Sequence, residues 1–215
     1  MKITSVQHLA QLRSLFAAEE AKHKKKVIVC CGTGCLANGA AKLVEAFRNT
    51  LSERGIKGFS VEAIKETGCH GFCEQGPLVV IEPQGTFYVK VKPKDIPEII
   101  ALSIEGQEII TDRLFTDPVT NRQIEKYNDV EFFKHQHRLA LRNLGKIAAH
   151  SIKESIASGG YAGFAKAIGT MSPDDVIAEV DKANLRGRGG GGFPAGKKWK
   201  TCKAVESDVR YVICN

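Results

Sequence analysis

The 215-residue sequence has no apolar run near the ~18 residues of a helical membrane span. Met1 to Glu20 mixes polar and apolar residues and lacks the apolar core of a signal peptide. These two absences lead to the expectation of a cytoplasmic protein without a membrane span. In that compartment its seven cysteines read as metal ligands or thiols rather than disulfides. No segment repeats. Apolar residues make up 43% and charged residues 26%, the balance of a folded chain, which excludes wholesale disorder. The length allows one large domain or two small ones.

The net charge of +7 is unevenly placed. Through Phe133 there are 17 basic and 17 acidic residues; from Lys134 onward there are 14 and 7. The basic excess of the last 82 residues suits an anionic partner, whether nucleic acid, a membrane surface or a phosphate-bearing cofactor. Most scattered lysines are read as a solvated face.

Leu9, Leu12 and Phe16 share one face and predict a helix over 5–20. Val27-Ile-Val29 predicts a short buried strand running into Cys30. Leu43, Val44, Phe47 and Leu51 predict a helix over 37–54, closed by Gly55. Residues 59–67 alternate and predict a strand leading to Cys69. Pro77–Ile81 and Phe87–Val91 predict a hairpin around Glu82-Pro-Gln-Gly85, and 95–103 a last short helix. Strand–helix–strand followed by hairpin and helix is the layout of a thioredoxin-like α/β domain. Residues 106–136 lose periodicity and read as a linker along the surface. Residues 138–149 and 151–169 are expected to be helical, the latter broken at Gly159-Gly160. Ser172-Pro-Asp-Asp175 opens a further helix with Val176, Ile177 and Val180 on its buried side. Val209 to Ile213 reads as a strand.

Cys30 and Cys35 form C-x4-C, Cys69 and Cys73 form C-x3-C, and 33 residues separate the pairs. Each pair follows a predicted strand, and parallel strands of one unit end at the same edge, so four thiolates are expected to meet. Four thiolates suit an iron–sulfur cluster or zinc. The wide spacers favour a [2Fe–2S] cluster and do not exclude zinc. Gly32, Gly34 and Gly71 leave backbone amides free to approach sulfur. Redox disulfide chemistry would want C-x2-C at a helix start, which is absent. Cys31 adds a competing thiol, but only Cys30 leaves four residues within its pair. His70, between Cys69 and Gly71, reads as a surface histidine.

Val29-Cys-Cys-Gly-Thr-Gly-Cys35 with Gly68-Cys-His-Gly-Phe-Cys-Glu-Gln-Gly-Pro77 resembles the thioredoxin-like [2Fe–2S] ferredoxin domain. That domain occurs in the small peripheral subunit of respiratory complex I and is fused to related hydrogenase and formate dehydrogenase subunits. The resemblance implies Cys30, Cys35, Cys69 and Cys73 as cluster ligands and leaves Cys31 out.

Gly187-Arg-Gly189-Gly-Gly-Gly192 matches G-x-G-x-x-G, but a Rossmann fingerprint follows a strand and this one follows a helix. It is not a P-loop, because no Gly-Lys-Ser/Thr ends it. A glycine run admits close approach of a ligand, and Pro194 can open a helix whose first amides face an anion. Arg186, Arg188, Lys197 and Lys198 supply charge, and Phe193 and Trp199 aromatic faces. A disordered linker is the plainer alternative.

Asn184 through Trp199 resembles the nucleotide loop of the flavin-carrying, NADH-oxidising subunit of complex I and its hydrogenase relatives. Gly191 stands where the family usually has alanine. The resemblance implies FMN contacts from Gly187, Arg188 and Gly189, with Lys198 near its phosphate. It implies a nicotinamide-dinucleotide side from Gly190, Gly191, Gly192 and Phe193, and a flavin-side Asn215. It covers roughly 27–100 and 130–215. The family's second flavin loop and [4Fe–4S] cysteines do not appear, so the sequence is expected to be part of a longer chain, inactive by itself.

The combined expectation is an α/β protein: an N-terminal helix (1–26), a thioredoxin-like [2Fe–2S] domain (27–105), a linker or docking segment (106–137) and the incomplete start of an α/β FMN- and NAD(P)H-binding domain (138–215). Its expected role is electron input from NAD(P)H through FMN to iron–sulfur centres, within a complex that adds a small [2Fe–2S] subunit and a hydrogenase, formate dehydrogenase or similar catalytic subunit. No acid–base catalytic residue is assigned. Two other readings stand beside it: a non-catalytic ferredoxin-like electron-transfer module, and a zinc-stabilised nucleic-acid binder, which the placing of charge among glycines disfavours.

Overall fold

The computed structural model describes residues 2–56, 59–211 and 213. They fall into two compact units, Ala10–Gly159 and Gly160–Asn215 with Met1–Leu9. α1 (Val6–Glu20) leads into β1 (Lys26–Cys30), the short α2 (Thr33–Ala37), α3 (Ala40–Arg54), β2 (Ile64–Thr67), the hairpin β3 (Val79–Glu82) and β4 (Thr86–Tyr88), and α4 (Ile96–Glu98). α4 runs on as a wider helical turn over Ile99–Glu105. On α3 the predicted stripe Leu43, Val44, Phe47 and Leu51 is buried, and the helix ends where the Gly55 N–H donates to the Leu51 carbonyl at 3.1 Å. The strand expected over 59–67 is shorter, because Val61–Ala63 form a 3-10 turn before β2.

The four strands lie in the order β2-β1-β3-β4, with β1 parallel to β2 and antiparallel to β3. The register sets Lys65, Ile28, Val80 and Phe87 in one row and Glu66, Val29, Val79 and Tyr88 in the next. Successive rows face opposite sides of the sheet. α3 and α4 cover the Glu66–Tyr88 side: Arg48 pairs with Glu66, and the Tyr88 hydroxyl lies 2.6 Å from Ser103 Oγ. The side chains of Val27 to Cys30 are little exposed on either face of the sheet, which is why β1 is continuously apolar rather than alternating.

On the other side the ammonium of Lys65, 3% exposed as a residue, sits between two carboxylates. Glu20 Oε1 is 3.0 Å away and Glu154 Oε1 2.9 Å. Glu154 Oε2 also accepts the Ala148 N–H at 2.8 Å. Burial disfavours the charged Lys65, but the bonds and charges of Glu154 and Glu20 outweigh it and raise its pKa above 10.5. Burial raises Glu20, and the hydrogen bond and charge of Lys65 more than reverse this, leaving it below 4.5.

Residues 106–137 carry β5 (Phe115–Thr116), β6 (Gln123–Ile124) and α5 (Glu131–Lys134), and they lie along the sheet. The Phe87 N–H donates to Glu125 O at 2.8 Å, Val89 to Arg113 O at 2.9 Å, and Tyr127 to Gly85 O at 2.9 Å. Phe72, Phe87, Tyr127 and Phe133 cluster there, with Tyr127 stacked on Phe133 at 4.1 Å.

The helix expected over 138–149 is absent. Most of the segment forms separate turns, such as Leu144 N–H to Leu141 O at 3.0 Å and Lys146 N–H to Asn143 O at 3.1 Å, and only its end meets the sheet: Ala148 bridges Thr67, and the Ala149 N–H donates to Glu66 O at 2.8 Å. α6 (Ile152–Ala157) follows, capped by Ser151. The smaller unit holds α7 (Ala162–Thr170), α8 (Pro173–Lys182) and α9 (Ala195–Ala204). Ser172 and Asp175 cap α8 reciprocally, as its sequence predicts. Val176, Ile177 and Val180 are not fully buried. α9 packs closely on α8 at Gly196, where a Cβ would stand 2.7 Å from the Asp181 Cα. The strand expected over Val209–Ile213 is not formed at residues 209–211 or 213; local bonds such as Arg210 Nη2 to Val205 O (3.1 Å) take its place, and a strand without a paired neighbour has no ladder to join. Val212 lies outside the described residues.

Lys65→Met leaves two carboxylates without their shared cation and is expected to destabilise the larger unit by ~3–5 kcal/mol. Chemical unfolding followed by circular dichroism measures this. Because Glu20 is held below its ordinary 4.5, the stability it contributes is full above that pH and is lost as the pH falls through its lower folded value. Acidification should therefore cost wild type more stability than Lys65→Met.

Candidate functional site

β1 and β2 run parallel and end together, at Cys30 and Thr67, and the Cys31 N–H donates to Thr67 O at 2.9 Å. The loops that follow meet at a glycine: a Cβ on Gly32 would stand 2.6 Å from Cys69 Cβ and 3.1 Å from its sulfur. A Cβ on Gly76 would lie 2.7 Å from Cys35 Sγ. The backbone can close this far only without side chains at the two positions. The need for Gly76, just before Pro77, is visible only once the loops are in contact.

All four cysteines of the two pairs come together. Cys30 and Cys35 are 1% exposed, Cys69 is half-buried and Cys73 is exposed. Cys69 Sγ and Cys73 Sγ are 3.8 Å apart, and the Cys30 thiol donates to the Gly68 carbonyl at 3.8 Å. Among the described residues, no three Cys, His, Asp or Glu side chains surround a common point as ligands of a single ion do. Cys69 and Cys73 form one close pair of thiols. Cys31 lies next along the chain and is influenced by Glu66 and Arg48; burial pushes its thiol up to about 11.

The interactions among the thiols favour charge on Cys30 and disfavour it on Cys35 and Cys73. The Cys35 thiol, with the backbone amides of Gly32 and His70, lowers the Cys30 pKa to about 6 against the effect of burial. The same bond raises Cys35, and Cys69 raises Cys73. The Gly71 N–H donates to Cys69 Sγ at 3.3 Å. Peptide dipoles from both loops thus point at the expected positions of charge.

His70 is not at the surface, as its sequence position suggested: it is 2% exposed. Its Nε2 lies 2.8 Å from Thr67 Oγ1, and its ring stands edge-on to Tyr127 at 5.4 Å. Burial pushes its pKa down to about 4, so the ring is neutral at pH 7. The loop that carries Cys69 needs a plug between the sheet end and the aromatic cluster, and the imidazole fills it.

The glycine-rich segment lies in the smaller unit. The Gly187 N–H donates to Phe193 O at 2.9 Å, the Ala195 N–H to Leu185 O at 2.8 Å, and Arg186 bridges Pro194. These bonds close a loop of which Gly187, Arg188, Gly189, Gly190, Gly191, Gly192 and Phe193 are the body. Pro194 caps α9, whose first turns carry the exposed Lys197 and Lys198. A Cβ at any of Gly189 to Gly192 would meet nothing in the described chain. Phe193 and Trp199 are exposed, at 53% and 47%. Asn215 lies outside the described residues.

The family described as thioredoxin-like [2Fe-2S] ferredoxin matches residues 1–103. The [2Fe-2S] ferredoxin of Clostridium pasteurianum is 36% identical over 76 residues, 35% of this chain and 72% of the ferredoxin. An NADH-quinone oxidoreductase subunit of Aquifex aeolicus is 50% identical over 78 residues, 36% of this chain and 18% of that subunit. The alpha subunit of the NAD-reducing hydrogenase HoxS of Cupriavidus necator is 25% identical over 215 residues, 93% of this chain and 31% of the hydrogenase subunit. The chain thus spans less than a third of the length of either large subunit. No helix among the described residues is long and apolar enough to cross a membrane. The two cysteine pairs and the parallel strand ends that gather them lie inside the matched region, and through this N-terminal part the chain belongs to the thioredoxin-like [2Fe-2S] ferredoxin family.

Proposed function

We propose that the chain is part of an electron-input subunit of a soluble NAD(P)H-linked oxidoreductase complex, with Cys30, Cys35, Cys69 and Cys73 holding a [2Fe–2S] cluster. The observation that carries this reading is the convergence of the two cysteine pairs across the Gly32–Cys69 contact. The donor set fits such a cluster: four sulfurs in two pairs, and loops drawn together where any side chain would intrude. A single zinc ion would ask for four ligands around one point. When bound, the cluster passes single electrons, and FMN joins such one-electron centres to the two-electron chemistry of a nicotinamide. The amides of Gly32, His70 and Gly71 stabilise charge on the sulfurs and so help set the potential. Exposed Cys73 puts one edge of the site within reach of a redox partner.

In the smaller unit, the loop Gly187–Phe193 and Lys198 supply an open nucleotide and flavin site in this reading. Its support is that Gly189 to Gly192 leave room no residue of the described chain uses, beside exposed cations and an exposed phenylalanine. Arg188 and Lys198 offer charge to phosphates, and Phe193 a stacking face. The partners in this reading are a second small [2Fe–2S] subunit and a hydrogenase, formate dehydrogenase or similar subunit.

Cys35→Ser and Cys73→Ser are expected to abolish or alter the reduced cluster's EPR signal, and Cys31→Ser to leave it unchanged; the reverse pattern overturns the ligand set. Gly32→Ala should lose most of its iron and sulfide, because its Cβ needs the space of Cys69, whereas Gly34→Ala, 3.4 Å from Cys73, should keep most of both. In the full-length protein, Lys198→Ala should weaken FMN binding by about tenfold, as loss of a charged hydrogen bond does. Unchanged FMN occupancy after purification overturns the flavin site and leaves the electron-transfer module as the function.

A further inference from the structure

The side of the sheet opposite α3 is not filled. Against Ile28 and Val80 lies a cavity of about 700 Å3, within the larger unit, walled by the end of α1 and by the chain from Tyr127 to Lys146. That is the size of a pocket for a small organic molecule.

Two buried polar atoms of residues lining this cavity have no partner among the described residues, His70 Nδ1 and the Tyr127 hydroxyl. Such groups are costly unless something meets them. Arg138 is close enough for its charge to act on both rings, and its guanidinium carbon lies 5.4 Å over the Phe133 ring. Arg142, Lys146 and Lys24 line the same cavity. None of these four cations is in an ion pair among the described residues. The two carboxylates on the wall do not neutralise them: Glu20 is engaged by Lys65 and Lys26, which leaves Glu82.

We propose that this cavity binds a small organic phosphate, with Arg138 and Arg142 on the phosphate and Phe133 and Tyr127 against the apolar part. The balance of charge excludes a cation. A wholly apolar guest would leave His70 and Tyr127 unmet. Two guanidinium groups on one cavity wall suit a dianionic phosphate better than a single carboxylate. The tyrosine hydroxyl can donate to a phosphate oxygen, and the unpartnered Nδ1 of His70 can exchange a hydrogen bond with a hydroxyl of the same molecule. The site uses nothing from the glycine-rich loop and stands independently of the flavin reading.

Titration calorimetry of the full-length protein with AMP, and competition by inorganic phosphate, test the proposal. AMP is expected to bind, phosphate to displace it, and Arg138→Gln/Arg142→Gln to weaken AMP binding by about tenfold or more. Lys94→Gln, a distant exposed lysine, should bind as wild type does. Tyr127→Phe keeps the aromatic packing and removes only the hydroxyl; weaker AMP binding at an unchanged melting temperature supports the site. Absence of AMP binding at millimolar concentration, or equal affinity in wild type and the double arginine variant, overturns it. The cluster's EPR signal, read on the same samples, reports separately on the electron-transfer reading.

Discussion

The meeting of Gly32 with Cys69 is the constraint on which the thiol site depends. Two parallel strands deliver their loops to one edge, but they alone bring the thiols only near one another. The last approach is made by backbone against backbone, at a place where one methyl group would stand only 2.6 Å from the Cys69 Cβ and 2.8 Å from its Cα. Gly76 repeats the device against Cys35 from the other side. The cysteine spacing and the glycines are therefore one specification: the first says which residues meet, the second how closely.

The larger unit builds a firm support under that edge. The α3 side is filled by a regular apolar stripe, while the other side is held by the buried Lys65 with Glu20 and Glu154. An ion cluster of this kind adds little stability compared with packed apolar groups, but it admits few arrangements of its members. Here it ties the end of α1, the middle of β2 and the start of α6 to one point. The smaller unit is different in character: its helices bury little, and its glycine-rich loop presents open backbone and exposed aromatic rings.

What the sequence revealed follows from whether a feature is periodic or local. The stripe on α3, the strand β1 and the Ser172–Asp175 cap are each written in a few nearby residues, and all are formed. The cysteine pairs were legible because strand ends can be located from apolar runs. His70 was not, since a single residue between Cys69 and Gly71 has no pattern to declare that its ring turns inward. Residues 138–149 were expected to be helical, but the Ala148 and Ala149 amides go to Glu154 and Glu66, partners outside the segment that local spacing does not reveal, and the residues before them form separate turns. Likewise Lys65 reads as a surface lysine until its two distant carboxylates are in place. The alternation at 209–213 promised a strand, but residues 209–211 have only local bonds.

Both edges of the four-stranded sheet carry backbone partners. Thr67 and Glu66 on β2 are engaged by Ala148 and Ala149; Thr86 and Tyr88 on β4 by Lys126 and Leu114. A sheet closed in this way cannot grow by adding a neighbour's strand, a common route to aggregation and to peptide capture. Any association of this unit with a partner would then be written in side chains, where charge and shape select what binds.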